Sequence, residues 1–331
     1  MTSALDPTTM TSAPPPDPDS DRPEPEPSSG EGLLDAITPV PYDPALDPVA
    51  GIPPESVIET KPSRAGRDLK AAIGVGVGLG VLVIGTLLVN KVSFLVLVMA
   101  AVALGVWEIR GALRQAAVEA PLLPPVLGTV AMLWAAYVGG PAALTVAWAL
   151  TAAATVVWRA FGKPEGAARD VLGGVFAGTY PPFLAGFAAL LLAADDGVAR
   201  IFAFLIITVC SDVGGYAAGV LYGRHPMAPT ISPKKSWEGF AGSVLLCVVA
   251  GSLTVQFFLD RPWPIGVALG VGVAAVGTVG DLMESLIKRD LGVKDMSNIL
   301  PGHGGIMDRL DSLIVVAPVA WVVLTLLAPA T

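Results

Sequence analysis

From residue 70 to residue 329 the chain is a succession of apolar runs, each long enough to cross a lipid bilayer. A hydrocarbon core of ~30 Å takes ~20 residues of helix. Spans of that length are predicted near 70–89, 92–109, 120–139, 141–160, 170–193, 198–221, 238–259, 263–283 and 313–329. The expected fold is therefore all-α: a polytopic integral membrane protein with about nine transmembrane helices. Composition agrees, because only 15% of the residues are charged, where a soluble domain carries about 25%.

Local breakers refine this outline. Gly139-Gly140-Pro141 separates the third and fourth spans, which predicts a tight helical hairpin. Thr179-Tyr180-Pro181-Pro182 lies inside the fifth, where proline removes donors, so that span is expected to bend or break. Residues 1–60 hold twelve of the acids, fourteen of the thirty prolines and a single base, Arg22. Such a segment cannot bury enough apolar surface to offset its ordering entropy and is expected to be a disordered, acidic, Pro-rich tail. It has no basic n-region or apolar core of a signal peptide. Residues 61–331 then form the transmembrane domain. The two cysteines, Cys210 and Cys247, fall in apolar runs and read as small buried hydrophobes.

Charge sets the orientation. With the N-terminus cytoplasmic, the inside segments carry sixteen Lys and Arg, and the outside turns carry only Lys91, Arg200 and Arg261. Basic residues favour the cytoplasmic side. That places every charged motif there, in the cell inner (plasma) membrane, with the C-terminus outside. Trp107-Glu108-Ile109-Arg110 at the end of the second span reads as an interfacial anchor.

Charge pressed between membrane spans is costly unless it works on something charged. Asp212 stands within the sixth span and must face a polar interior. It either orders a site or pairs with a neighbouring helix. Ser232-Pro233-Lys234-Lys235 resembles a helix N-cap and first turn. Two lysines there would oppose the helix dipole unless an anion completes the arrangement. The alternative is simple anchoring at the membrane surface. Asp281, Glu284, Ser285, Lys288 and Arg289 share one face if the segment is helical, although Glu284 and Lys288 could be an ordinary i,i+4 pair. Lys294 follows in a loop. Pro301-Gly302-His303-Gly304-Gly305 then enters a helix bearing Asp308, Arg309 and Asp311, a second candidate anion cradle. His303 is either a phosphate contact or a turn residue; with no second His or Cys beside it, zinc is not expected. Same-side carboxylates near phosphate-binding bases suggest Mg²⁺.

Ser285-x-x-Lys288-Arg289, Lys294-Asp295 and Pro301-Gly302-His303-Gly304-Gly305-x-x-Asp308-Arg309-x-Asp311 together resemble the C-terminal signature of the phosphatidate cytidylyltransferases, the CDP-diacylglycerol synthases. Ser232-Pro233-Lys234-Lys235-Ser236-Trp237-Glu238-Gly239 resembles that family's second block, with Ser for Thr at 236. The resemblance implies transfer of CMP from CTP to phosphatidic acid with release of pyrophosphate. It implies Mg²⁺ on Asp281, Asp308 and Asp311, with Asp212 helping to order the site. Lys288 and Arg289 join the catalytic set. Ser232, Lys234, Lys235, Lys294, His303, Gly304, Gly305 and Arg309 would bind substrate. It further implies a homodimer in the lipid bilayer and no nucleic-acid partner. A secondary transporter is the main alternative outside enzymes, but the charges gather in the last third with no matching pattern in the first half. A CDP-alcohol phosphotransferase would carry a D-x-x-D-G motif that is absent. A purely structural scaffold leaves Asp212 and the paired carboxylates unexplained.

Overall fold

The computed structural model describes residues 65–329, except 298 and 301–303; the side chains of 65–73 are also outside the described set. The expectations for the 1–60 tail and for His303 lie outside the described residues. Eight helices follow in order: α1 (Ala65–Val89), α2 (Lys91–Gln115), α3 (Leu123–Ala160), α4 (Ala167–Ala193), α5 (Gly197–Tyr222), α6 (Trp237–Phe258), α7 (Trp263–Asp290) and α8 (Met307–Leu327). Seven of them, α2 to α8, are long and apolar enough to cross a membrane. The chain is thus an all-α polytopic membrane protein, apart from one small hairpin of strands, β1 (Pro226–Ala228) and β2 (Ser232–Ser236).

The helix α3 has 38 residues, about 57 Å at 1.5 Å per residue, which exceeds one bilayer crossing. It is not straight. Gly140 has φ 72° and ψ −164° ahead of Pro141, a conformation that suits glycine and ends a helix. The two arms fold back on each other, so that Gly128 abuts Thr151. The sequence-predicted hairpin at Gly139-Gly140-Pro141 is present.

Proline acts differently in α4. This helix runs unbroken from Ala167 to Ala193 through Pro181 and Pro182, so the expected break does not occur. Both prolines lie on the stripe buried by packing, with Ala177, Gly178, Ala185 and Gly186. Tertiary packing holds a helix that propensity would interrupt. A run of aromatic contacts, Trp148 to Phe183 to Phe187 to Trp321, links α3, α4 and α8. The Trp148 indole donates to Thr179 Oγ1 at 2.9 Å.

The last helices approach at backbone distance. A Cβ added at Gly266 of α7 would overlap the Gly251 carbonyl of α6, and one at Gly242 of α6 would meet the Gly214 carbonyl of α5. Small residues permit this closeness. Gly266→Leu is expected to destabilise the protein by about 3 kcal/mol, because the obstacle is backbone and cannot rotate away. Gly78→Leu, in open space on α1, should stay within about 0.5 kcal/mol of wild type. Thermal unfolding in detergent distinguishes the two; equal melting would contradict the close approach.

The three basic residues expected on the outside all gather at one end, where they hold helix termini. Lys91 donates to the carbonyls of Ala194 and Asp195, Arg200 to Ala328 O at 2.5 Å, and Arg261 to Pro329 O at 2.8 Å. Arg200, with its side chain only 3% exposed, also pairs with Asp196. Cations satisfy orphan carbonyls at helix C-termini. The α3 break belongs to this end too, since Gly140 and Pro141 share a pocket with Ala194, Arg200 and Pro329. At the other end Arg159 pairs with Asp170 at 3.0 Å, and Asp170 also accepts from Glu119 N, tying α3, α4 and the connection before α3.

Candidate active site

The β hairpin sits where α5 ends and α6 begins. Its location corrects one expectation: Ser232-Pro233 is not the helix cap. Residues 232–236 are strand, and Ser236 is the N-cap of α6, its Oγ accepting from Gly239 N at 3.1 Å. Proline is acceptable in a two-stranded sheet because both strands are edges. The lysines therefore precede the helix, and the strand's alternation separates them. Lys234 is exposed, and Lys235 turns inward. Glu238 braces the preceding turn, accepting from the backbone N–H of Arg224 and His225 and bonding His225 Nδ1 at 2.5 Å. Trp237 N donates to His225 O at 3.0 Å, closing the hairpin.

Beneath the hairpin lies a cavity of about 300 Å³ between α5, α6 and α7. Asp212, Lys234, Lys235 and Asp281 line it, with Ser211, Tyr216, Ser243 and Thr278. Asp212 thus faces a polar cavity, as an acid within an apolar helix must. Lys235 Nζ reaches Asp281 Oδ2 at 2.7 Å, joining β2 to α7. Asp281 and Lys235 line the same cavity as Asp212, so their charges act on it. The glycines that let α5 and α6 approach, Gly215, Gly219 and Gly239, form the cavity's backbone wall. Ser211, Tyr216, Ser243 and Thr278 were not read from the sequence as site residues. Their signal was position: Ser211 adjoins Asp212, Tyr216 and Thr278 lie one turn from Asp212 and Asp281 on α5 and α7, and Ser243 is two turns beyond the α6 cap Ser236.

The 280–312 stretch is helical to Asp290, so the condition for a shared face is met, and α8 begins at Met307. Its charges are more interlocked than expected. Lys288 Nζ lies 2.7 Å from Asp308 Oδ1 and 3.1 Å from Glu284 Oε1, the latter in ionic contact outside hydrogen-bond geometry. Lys288 is thus a counter-ion between α7 and α8, a different place from direct contact with phosphate. Asp308, 7% exposed, accepts from Met296 N at 3.1 Å and Gly305 N at 2.7 Å. Its carboxylate is committed to protein donors, whereas the sequence reading placed it beside Asp311 as a metal ligand. Asp311 is half-buried, accepts only from its neighbour Ser312 N among the described bonds, and stands against Glu284.

The Gly-rich turn also differs from the anion cradle the sequence suggested. Gly304 has φ 79°, which favours glycine, and its carbonyl accepts from Leu300 N. Among the described residues, three of the N–H groups at this helix start are already taken. Gly305 donates to Asp308, and Ile306 and Met307 donate to Glu108 of α2. Glu108 is 1% exposed, so the interfacial-anchor reading is corrected: it is an internal acceptor. Arg289, Lys294 and Arg309 are exposed. Ser232, half-buried, opens the strand that carries the two lysines. Among the described residues no three His, Cys, Asp or Glu side chains converge to hold a metal ion by themselves.

Membrane-length helices with a lysine-and-carboxylate cavity at one end define a polytopic membrane protein with a charged pocket among its helices. The chain belongs to the Cytidylyltransferase family, whose model matches residues 70–327. It is 40% identical over 299 residues to a phosphatidate cytidylyltransferase of Mycobacterium bovis, covering 86% of this chain and 97% of that protein. It is 40% identical over 281 residues to the Mycobacterium leprae protein of the same name, covering 80% and 90%. A phosphatidate cytidylyltransferase of Staphylococcus epidermidis is 47% identical over 120 residues, 36% of this chain and 45% of that protein.

Proposed function

We propose that this chain transfers CMP from CTP to phosphatidic acid, releasing pyrophosphate and forming CDP-diacylglycerol. The observation that carries the reading is the cavity of Asp212, Lys234, Lys235 and Asp281 at the charged end of the bundle, in a chain of this family. A phosphatidate oxygen forms a bond to the α-phosphorus of CTP, and the bond from that phosphorus to the bridging oxygen of the leaving pyrophosphate breaks. Phosphatidate is already anionic at neutral pH, so no general base is required. The protein's part is positioning and charge stabilisation. Lys234 and Lys235 receive phosphate at the cavity wall, and Asp281 aims Lys235. The exposed Arg289, Lys294 and Arg309 add positive charge for the triphosphate and the lipid phosphate.

Asp281 and Asp311 are the carboxylates that would hold Mg²⁺, each with one oxygen free of protein donors among the described bonds. It binds through one or two carboxylates plus substrate phosphates and keeps several waters, so it needs no ready-made protein cage. Bound there, it would neutralise the developing charge on the triphosphate. Asp308 fits less well, because its oxygens already accept from Met296 and Gly305 and are paired with Lys288.

The same reading has nine crossings, counting α1 once and the arms of α3 as two. It places the charged end and the N-terminus in the cytoplasm, the C-terminus outside, and the chain as a homodimer in the inner (plasma) membrane. The basic-residue bias and the grouping of Lys91, Arg200 and Arg261 at the other end support the orientation. The test uses the purified chain in detergent with CTP, Mg²⁺ and phosphatidic acid. Pyrophosphate and CDP-diacylglycerol should appear in equal amounts, and labelled CTP should enter the lipid phase without any ion gradient. Folded protein that leaves CTP intact with every phosphatidate offered would sink the reading. Cross-linking in detergent checks the dimer.

A further inference from the structure

Glu108 belongs to none of the motifs that carry the reading above, yet it is among the most enclosed acids of the described residues. It lies on α2, far in sequence from the charged stretch, and is 1% exposed. Its Oε1 accepts from Ser297 Oγ at 2.6 Å and from Ile306 N at 2.9 Å; its Oε2 accepts from Met307 N at 2.6 Å. Three donors on two oxygens leave the carboxylate well satisfied, and two of them are the opening amides of α8.

Those amides need an acceptor. The first N–H groups of a helix have no partner within it. The N-cap of α8 is Ile306, which offers no side-chain acceptor. An anion at this position also gains from the helix dipole. The fit around the carboxylate is tight. Any Cβ at Gly305 would collide with it, and the fully buried Met307 packs against Gly105, one turn before Glu108 on α2. Glu108 and Asp308 therefore divide the work. Asp308 holds Gly305 N, and Glu108 holds the next two amides, so consecutive backbone groups are fixed by two carboxylates from different helices.

We propose that Glu108 is a positioning residue of the transferase site: it fixes the Gly305-Ile306-Met307 turn and so sets where Asp308 and Asp311 stand relative to Asp281. The proposal rests on the reading of the site given above. It requires that loss of Glu108 act on the chemical step through misplacement of Asp311, with CTP binding at Lys234 and Lys235 preserved. A displacement of about 1 Å in such a group costs on the order of 100-fold in rate.

The test compares wild type with Glu108→Gln, which keeps the volume but presents an amide N–H toward a backbone N–H. Both are purified as the full chain in detergent. In the variant, kcat should fall roughly 10- to 100-fold while KM for CTP stays within about twofold. Amide exchange should quicken at 305–307 and remain unchanged in α7. A folded Glu108→Gln protein with wild-type kcat would overturn the proposal, as would an equal effect on kcat and on CTP binding. Should the variant fail to fold, exchange in the wild type decides: slow exchange at Ile306 and Met307 is required, and fast exchange, as at an uncapped helix start, refutes it. If wild type makes no CDP-diacylglycerol at all, the function reading fails, and the exchange measurement still judges what Glu108 holds.

Discussion

Asp281→Asn is expected to lower CDP-diacylglycerol formation by roughly 10²- to 10³-fold, the range for losing one preorganised charge-stabilising group. The substitution conserves volume, and the amide oxygen can still accept from Lys235, so the fold should survive. What disappears is one negative charge in a cavity shared with Asp212, Lys234 and Lys235. Two consequences separate under titration. If Asp281 holds the divalent cation, the Mg²⁺ concentration for half-maximal rate rises. If it only aims Lys235, which it meets at 2.7 Å, the Mg²⁺ requirement is unchanged and KM for CTP rises instead. Normal turnover in the folded variant would remove Asp281 from the site. Asp308→Asn is a poor substitute for this test. Its carboxylate holds two backbone amides and Lys288, so an inactive variant could be a misfolded one.

The parts of this molecule that were legible in its sequence are those set by short spacing. The α3 hairpin follows from three adjacent residues, 139–141. The shared face of Asp281, Glu284 and Lys288 follows from helical periodicity, and α7 remains helical to Asp290. The misreadings come from partners distant in the chain. Glu108 followed by Arg110 has the pattern of a membrane-surface anchor, and nothing local separates that from a buried acceptor. The usable signal was at the other end of the interaction. Residues 304–307, Gly-Gly-Ile-Met, contain no Ser, Thr, Asp or Asn to cap α8, so the opening amides had to find an acceptor elsewhere. Supposing that acceptor to be a substrate phosphate was reasonable by charge. The protein's own carboxylate meets the same need without a ligand.

The SPKKS segment failed for a related reason. Ser-Pro is a good helix start in isolation, but Ser236 takes the cap instead, and pairing with residues 226–228 draws the earlier residues into a strand. The correction matters for chemistry. On the strand both lysines border the cavity, but they differ in how they are held. Lys234 is exposed and carries no ion pair among the described residues, and Lys235 is fixed by Asp281.

Lys288→Met should be the most destabilising single change at the charged end, by ~3–5 kcal/mol, because it strips the counter-ion from buried acids. Glu284 and Asp308 each have side chains only 3% exposed at this contact. Asp308 would retain its backbone donors. Glu284 would keep none, since its Oε1 already lacks a hydrogen-bond partner and relies on the ammonium 3.1 Å away. Asp311 beside it adds like charge. The isolated carboxylate, more than the lost attraction, is the source of the cost. A second variant tests that cause. Glu284→Gln combined with Lys288→Met removes the stranded charge together with its partner, and should be more stable than Lys288→Met alone. Both are measured as thermal unfolding of the full chain in detergent. Melting of Lys288→Met with the wild type would mean that Lys288 is not the bridge between α7 and α8. Equal destabilisation in the single and double variants would trace the loss to packing around the lysine stem rather than to charge.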